Sequence, residues 1–154
     1  MRALLVMLLA GCAMQGSAPS DDDGYGGWHF PGGSTEGRCR SDGACSSGDL
    51  CARDGTCLSP AQIYPAHVMW TLSGQPAGKT ACDASPDLEI GFYTDSGDGY
   101  LGYAPVPCIA GKFTVDKLPR TYRRVRLGRD PGAGDGEAAT IDGATGDAVL
   151  DLPY

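Results

Sequence analysis

The sequence predicts an all-β fold: a small antiparallel β-sandwich, preceded by a disulfide-rich module and a disordered tether. Three observations carry that expectation. From residue 62 onward apolar residues recur at every second position in short runs, the period of a half-buried strand. Gly, Pro and Asp clusters separate the runs at regular intervals, and about seven such strands in about 90 residues is the signature of a sandwich. Ahead of them stand four cysteines with five residues between each and the next, and no segment holds a 3.6-residue period over a useful length. The divisions that follow are 1–11, 12–38, 39–57 and 62–154.

In the last division, His67 to Leu72 places Val68, Trp70 and Leu72 on one face, and Ser73-Gly74-Gln75-Pro76 stops the strand. Asp87 to Tyr93 alternates likewise, with Leu88, Ile90 and Phe92 inward. Gly99 to Tyr103 and Val106 to Cys108 read as two shorter strands, and Lys112 to Asp116 turns Phe113 and Val115 inward. In Thr121 to Leu127, Val125 and Leu127 share a face while Tyr122 falls out of phase, which predicts a bulge. Ala138 to Ile141 and Ala148 to Leu152 flank Asp142-Gly143-Ala144-Thr145-Gly146-Asp147, read as a hairpin loop. Cys82 and Cys108 flank the second and third strands and are expected to pair.

The four-cysteine stretch contains two matching halves of the form C-x-x-D-G-x-C, Cys39 to Cys45 and Cys51 to Cys57, with Gly48-Asp49 between them. Every loop thus holds a turn former. Leu50 is its one large apolar residue, so ordering has to come from covalent closure. Four cysteines allow three pairings, all open at this point. A disulfide-stiffened stalk and a recognition knob are the two roles that fit.

Residues 13–38 hold Asp21-Asp22-Asp23, seven Gly and no apolar period, the composition of a tether reaching about 28 Å as a random coil. Within it, Tyr25-Gly26-Gly27-Trp28-His29-Phe30 reads as a short docking motif or as loosely packing spacer. At the start, Arg2 precedes the apolar run Ala3 to Ala10, the order of an export signal. Eight residues cover about 12 Å as a helix against a hydrocarbon core of about 30 Å, too short to span it.

Leu9-Ala10-Gly11-Cys12 resembles the lipobox of bacterial lipoproteins. That resemblance implies lipidation of Cys12, cleavage before it, and membrane lipid as a partner through the acylated Cys12. Ala13 at the next position, where an Asp would retain such a protein at the inner membrane, implies the outer membrane of the cell envelope. The Cys39–Cys57 spacing resembles small modules of predicted myxobacterial lipoproteins. Trp70-Thr71-Leu72-Ser73-Gly74-Gln75-Pro76-Ala77, Pro107-Cys108-Ile109-Ala110-Gly111-Lys112-Phe113 and Leu118-Pro119-Arg120-Thr121-Tyr122 resemble the prealbumin-like or carboxypeptidase-regulatory-like sandwiches of exported bacterial proteins. The corner of that group reads Leu-Pro-x-Gly-x-Tyr; here Arg120 and Thr121 stand there, without the Gly.

The formal net charge of −7 becomes −8 once residues 1–11, with Arg2, are removed. Such a balance argues against nucleic acid and against electrostatic docking on anionic lipid. With Cys12 lipidated, Cys39, Cys45, Cys51, Cys57, Cys82 and Cys108 form an even set in an oxidising compartment, the condition for disulfides. No C-x-x-C pair supports a metal, and neither a metal nor a cofactor is expected. Nucleophile-elbow, H-E-x-x-H and phosphate-loop motifs are absent from the sequence, so catalysis is not expected. Tyr93 to Tyr100 lacks the spacing of a calcium loop and reads as a turn.

Seven basic residues fall between Lys112 and Arg129, and strand alternation points Arg124 and Arg126 together with Tyr122. Those three are the candidate binding residues, a basic aromatic strip suited to an anionic glycan or an acidic partner. Tyr93, Tyr100 and Tyr103 extend it as a sugar-stacking surface, or else pack in the core or at an edge. The expected function is a lipid-anchored cell-envelope protein presenting a β-sandwich for binding or structure, with an envelope protein or glycan as partner. The alternatives are a protease-inhibitor-like cysteine-rich protein and a carbohydrate-binding surface module.

Overall fold

A computed structural model of the protein describes residues 38–46, 48–129 and 135–153. Cys12, the signal, and the tether with its Tyr25 to Phe30 cluster lie outside the described residues. The strands are β1 (Leu50–Cys51), β2 (Cys57–Leu58), β3 (Ile63–Leu72), β4 (Gln75–Pro76), β5 (Asp87–Thr94), β6 (Tyr100–Pro107), β7 (Lys112–Pro119), β8 (Tyr122–Gly128), β9 (Glu137–Thr140) and β10 (Asp147–Leu152). The helical segments among the described residues are single 3-10 turns.

Two four-stranded sheets form the sandwich. In the first, β3 lies between β10 on one side and β7 with β4 on the other; in the second the order is β6-β5-β8-β9. The expected inward sets are the observed ones: Val68, Trp70 and Leu72 from β3, and Leu88, Ile90 and Phe92 from β5, are all buried. Val115, Val125, Leu127, Ala148, Leu150 and Leu152 complete the same core. The Trp70 indole donates to the Cys108 carbonyl at 2.9 Å, so this large side chain is buried with its one polar atom satisfied.

Two expectations are corrected. Residues 100–107 form one strand, β6, because two residues, Ala104 and Pro105, stand opposite Glu89 and absorb the irregularity as a bulge. The loop after β9 is not a hairpin. Ile141, 1% exposed, draws the chain through the core and across to the other sheet, where β10 pairs with β3 in parallel, Asp147 opposite His67. The crossing is a tight turn in which the Asp142 carboxylate accepts from the Ala144 and Thr145 amides at 2.7 and 2.9 Å. Gly146 has φ +81° and sits against the Pro65 carbonyl, leaving no room for a side chain.

Three disulfides close the chain: Cys39–Cys51, Cys45–Cys57 and Cys82–Cys108. The first two interlock, each over a separation of 12 residues. In the chain-entropy picture each such closure contributes about 3 kcal/mol, which suits a module with no apolar interior.

The module is not a free stalk, for it is seated on a second bulge. In β7, Asp116 and Lys117 stand opposite the single residue Pro65, and Lys117 takes φ +50°. Pro65 has no amide to lose from the ladder, which makes the irregularity tolerable. The turned-out carbonyl of Lys117 accepts from the Arg53 amide at 3.1 Å. Arg53 also donates to Asp116, and Lys117 Nζ reaches Asp42 Oδ2 at 2.7 Å. Ala52 and Cys39 are buried.

The carboxyls of Asp42, Asp98, Asp142 and Asp151 are all held below the ordinary carboxylate range by hydrogen bonds, with Lys117 the leading cause at Asp42, Ser96 at Asp98, the Thr145 amide at Asp142 and Thr71 at Asp151. At the other end, burial pushes the Tyr64 phenol up to about 12, against the opposing pull of Arg123 and Arg120. A depressed acid stabilises the fold above its unfolded pKa, about 3.9 for Asp, and that contribution is lost as pH falls through the folded value. A raised phenol stabilises below its unfolded pKa, about 10, and loses that contribution as pH rises through the folded one. Thermal unfolding across pH should therefore show a plateau between about pH 5 and 9 with falling limbs on both sides. Full retention of stability down to pH 2 would contradict the acid limb.

Candidate functional site

Strand β8 does not deliver the strip that simple alternation implies. Tyr122 pairs with Thr94 and Arg124 with Tyr93, so Arg123 is an extra residue between them. This is the expected bulge, and its effect is to invert the phase: Tyr122 joins Val125 and Leu127 on the inner face, only 6% exposed. Burial raises its phenol, and its carbonyl accepts from the Tyr64 hydroxyl at 2.6 Å. Tyr122 is thus core, and only Arg124 and Arg126 of the three candidates face outward.

Their aromatic neighbour is Tyr93, supplied by β5. Arg124 is its cross-strand partner on one side and Tyr100 on the other. One step along, Gly91 pairs with Gly102, and the two tyrosine rings fold down over these glycines. A Cβ at Gly91 would meet Tyr100 Cε2 at 2.7 Å and Tyr93 Cε2 at 3.0 Å, and one at Gly102 would meet Tyr100 Cζ at 2.8 Å. Glycine at both positions is what allows the rings to rest on the sheet. The ring centroids are 5.1 Å apart at 45°.

Polar groups hold this platform in place. The Tyr100 hydroxyl donates to Glu89 Oε1. The Arg126 guanidinium carbon lies 6.0 Å from the Tyr93 centroid, at the limit of a cation–π contact. Arg124 Nη2 donates to the Thr94 carbonyl at 2.9 Å, tying the strand to the end of the β5–β6 hairpin. Beside Tyr93 the surface dips into a concavity of about 380 Å³ lined by Tyr93, Arg124, Arg126, Ala138, Ala139 and Thr140. The small side chains of β9 leave that hollow open.

Three more members of the basic cluster are engaged elsewhere. Arg120 donates to the carbonyls of Ala61 and Gly143, at 2.9 and 3.0 Å, and its guanidinium carbon lies 5.4 Å from the Tyr64 centroid. Arg129 donates to the Ser85 hydroxyl at 2.8 Å, and Lys117 holds Asp42. Tyr103 points inward, its ring against Phe92 and Phe113, and does not extend the platform.

Three other arrangements bear on chemistry. The sulfurs of Cys39, Cys45 and Cys57 lie within 4.8 Å of one another, but they belong to two disulfides, and a metal needs thiolates. The Thr94 to Gly99 loop closes on itself, with Asp98 accepting from Ser96 at 2.5 Å and Thr94 at 2.8 Å. On the other sheet Thr114, His67 and Asp147 are cross-strand neighbours, and His67 Nδ1 is 3.2 Å from Thr114 Oγ1.

The chain matches no protein-family model, no curated protein and no solved structure in comparison. The platform does leave a trace in the sequence: Gly91-Phe92-Tyr93 and Tyr100-Leu101-Gly102 are mirror images across the hairpin, and period-2 alternation sets their Gly and Tyr on the same outer face.

Gly91→Ala tests the shelf. The new methyl lifts both rings, at a cost of about 1–3 kcal/mol on urea unfolding and with a changed near-UV circular dichroism of the tyrosines. An unchanged spectrum and midpoint would mean that the rings do not rest there.

Proposed function

We propose that the protein is a lipid-anchored component of the cell envelope that presents its β-sandwich as a binding module and performs no catalysis. The observation that carries this reading is cysteine use. Six of the seven cysteines are consumed in three disulfides, which leaves Cys12, at the end of Leu9-Ala10-Gly11-Cys12, as the one thiol for a lipid. Two or three acyl chains, at about 0.8 kcal/mol per buried methylene, hold a chain at a membrane without help from charge. An acidic protein needs such an anchor on an anionic surface. The three disulfides agree with an exported location, and Ala13 favours the outer membrane.

Binding rather than pure structure is supported by the outer face of the β6-β5-β8-β9 sheet, where Tyr93, Arg124 and Arg126 line a hollow. The protease-inhibitor alternative draws less support, because the module segment that would serve as an inhibitory loop is pinned to β7 through Arg53 and Asp42.

Expression in a double-membraned bacterium, wild type beside Cys12→Ala, tests the anchor. The expected wild type fractionates with membranes and has the mass of a chain that begins at an acylated Cys12 and carries three disulfides; the variant is soluble. A soluble, unacylated wild type indistinguishable from Cys12→Ala would overturn it.

A further inference from the structure

We infer that the outer edge of β10 is a docking site for an extended segment of a partner protein, one that carries cations on either side of an apolar centre. The site lies on the sheet opposite the tyrosine platform and does not depend on it. β10 ends its sheet, and among the described residues β3 is the one strand paired with it. The direction of its backbone groups follows from the ladder. The Gly146 carbonyl accepts from the His67 amide at 2.8 Å, and the Leu152 carbonyl accepts from the Ser73 amide at 2.8 Å. Residues 146, 148, 150 and 152 therefore turn their backbone groups toward β3, while 147, 149 and 151 turn theirs away. Asp147 is satisfied by the turn before it: its amide donates to Thr145 Oγ1 at 3.2 Å and its carbonyl accepts from the Asp142 amide at 2.9 Å. The amides and carbonyls of Val149 and Asp151 remain without a partner among the described residues, a template for one more strand.

Edge strands invite association, and the other edges of this sandwich are blunted. β6 carries Pro105, Pro107 and a bulge, and Pro cannot donate to an added strand. β7 has its own bulge, with Lys112 and Lys117, and the four-cysteine module is seated against it. β9 is only four residues long. β10 has none of these devices: its pairing with β3 runs unbroken from Asp147 to Leu152, with neither Pro nor Lys. An unguarded strand of six residues, in a chain that blunts its other edges, is one kept open for a partner.

The outer-face side chains of β10 define that partner. They read Asp147, Val149, Asp151, an apolar residue between two acids. Val149 is 66% exposed and its cross-strand neighbour Met69 is 44% exposed, so the two form an apolar step that an added strand would cover. Asp151 is already ordered, accepting from the Thr71 hydroxyl at 2.6 Å and the Gly74 amide at 2.8 Å. Groups ordered in advance lose little entropy on binding. On a strand whose apolar residue lies opposite Val149, the positions two residues to either side fall opposite Asp147 and Asp151, where a cation is favoured and an acid is not. The partner therefore reads cation-x-apolar-x-cation, and the symmetry of Asp147 and Asp151 about Val149 lets it run in either direction. A second copy of this chain does not fit. Pairing two β10 edges about Val149 would set Asp147 of each copy opposite Asp151 of the other, between molecules of net charge −7.

Calorimetry on the purified full-length protein in detergent provides the test. The probe is a short capped peptide with the central run Lys-Thr-Val-Thr-Lys, and its control carries Glu in place of both Lys. The Lys probe should bind with a Kd on the order of 0.1 mM, and the Glu control about tenfold more weakly. Val149→Lys, a change at an exposed side chain that leaves the core untouched, should weaken binding of the Lys probe about tenfold. Val149→Pro removes an amide that the ladder with β3 does not use, and should weaken binding similarly while unfolding stays cooperative. Asp147→Lys should reverse the preference between probe and control. No binding of the Lys probe, equal binding of the Glu control, or undiminished binding by a folded Val149→Lys chain would overturn the inference. So would a dimer of the protein that Val149→Lys dissociates. Acylation of Cys12 and glycan binding on the opposite sheet are measured separately, so failure here leaves the proposed function standing, and failure there leaves this edge standing.

Discussion

The alternation of β5 is the constraint on which the rest of the sandwich depends. β5 is an inner strand of its sheet, paired on both sides along its length, so its two faces serve two purposes at once. Leu88, Ile90 and Phe92 point into the core and are at most 2% exposed. Glu89, Gly91 and Tyr93 point the other way and form the middle of the outer platform. A slip of one residue would exchange the two sets, burying a carboxylate and exposing Phe92. The same hydrophobic drive that fixes the register of the core therefore fixes the position of the tyrosine.

Departures from regular pairing do most of the work of differentiation. Three ladders each contain one place where two residues face one: Asp116 and Lys117 opposite Pro65, Ala104 and Pro105 opposite Glu89, and Arg123 beside the Tyr93 and Thr94 pairings. The first turns out a carbonyl, a carboxylate and an ammonium that together seat the four-cysteine module. The third sends Tyr122 into the core while Arg124 and Arg126 remain outside. Bulges re-aim side chains without altering the sheet around them, and here they separate a structural tyrosine from a surface one. The charged contacts at the module junction are exposed, so they set orientation more than stability. Order within the module comes from its two interlocked disulfides.

Much of this architecture was legible in the residues. The inward sets of β3 and β5, the short strands near residues 113, 125 and 150, the bulge at the start of β8 and the Cys82–Cys108 pairing all follow from period-2 hydrophobicity and cysteine context. What was not legible depends on long-range geometry. Period 2 says which residues face inward but not which sheet a strand joins, so the crossing at Ile141 and the parallel seat of β10 were hidden. Simple alternation places Tyr122 at the surface, and the bulge at Arg123 reverses that phase. The interlocked pairing in the module required the fold, since turn chemistry is the same in both halves. The platform is half-visible in the residues: period 2 sets the tyrosines on the outer face, whereas the contact of their rings with Gly91 and Gly102 depends on how the strands pair.

The claim that the outer face of β5 is the working surface is tested most directly by amide and aromatic NMR of the protein titrated with solubilised cell-envelope glycan. Ordered chemical-shift changes should be confined to Tyr93, Tyr100, Arg124, Arg126, Ala138 and Thr140, with Tyr103 and Tyr122, which lie on the inner face, unmoved. Changes centred on Arg40, Arg53 and Lys117 at the module junction, or on His67 and Val149 across the other sheet, would place the working surface elsewhere and contradict the account.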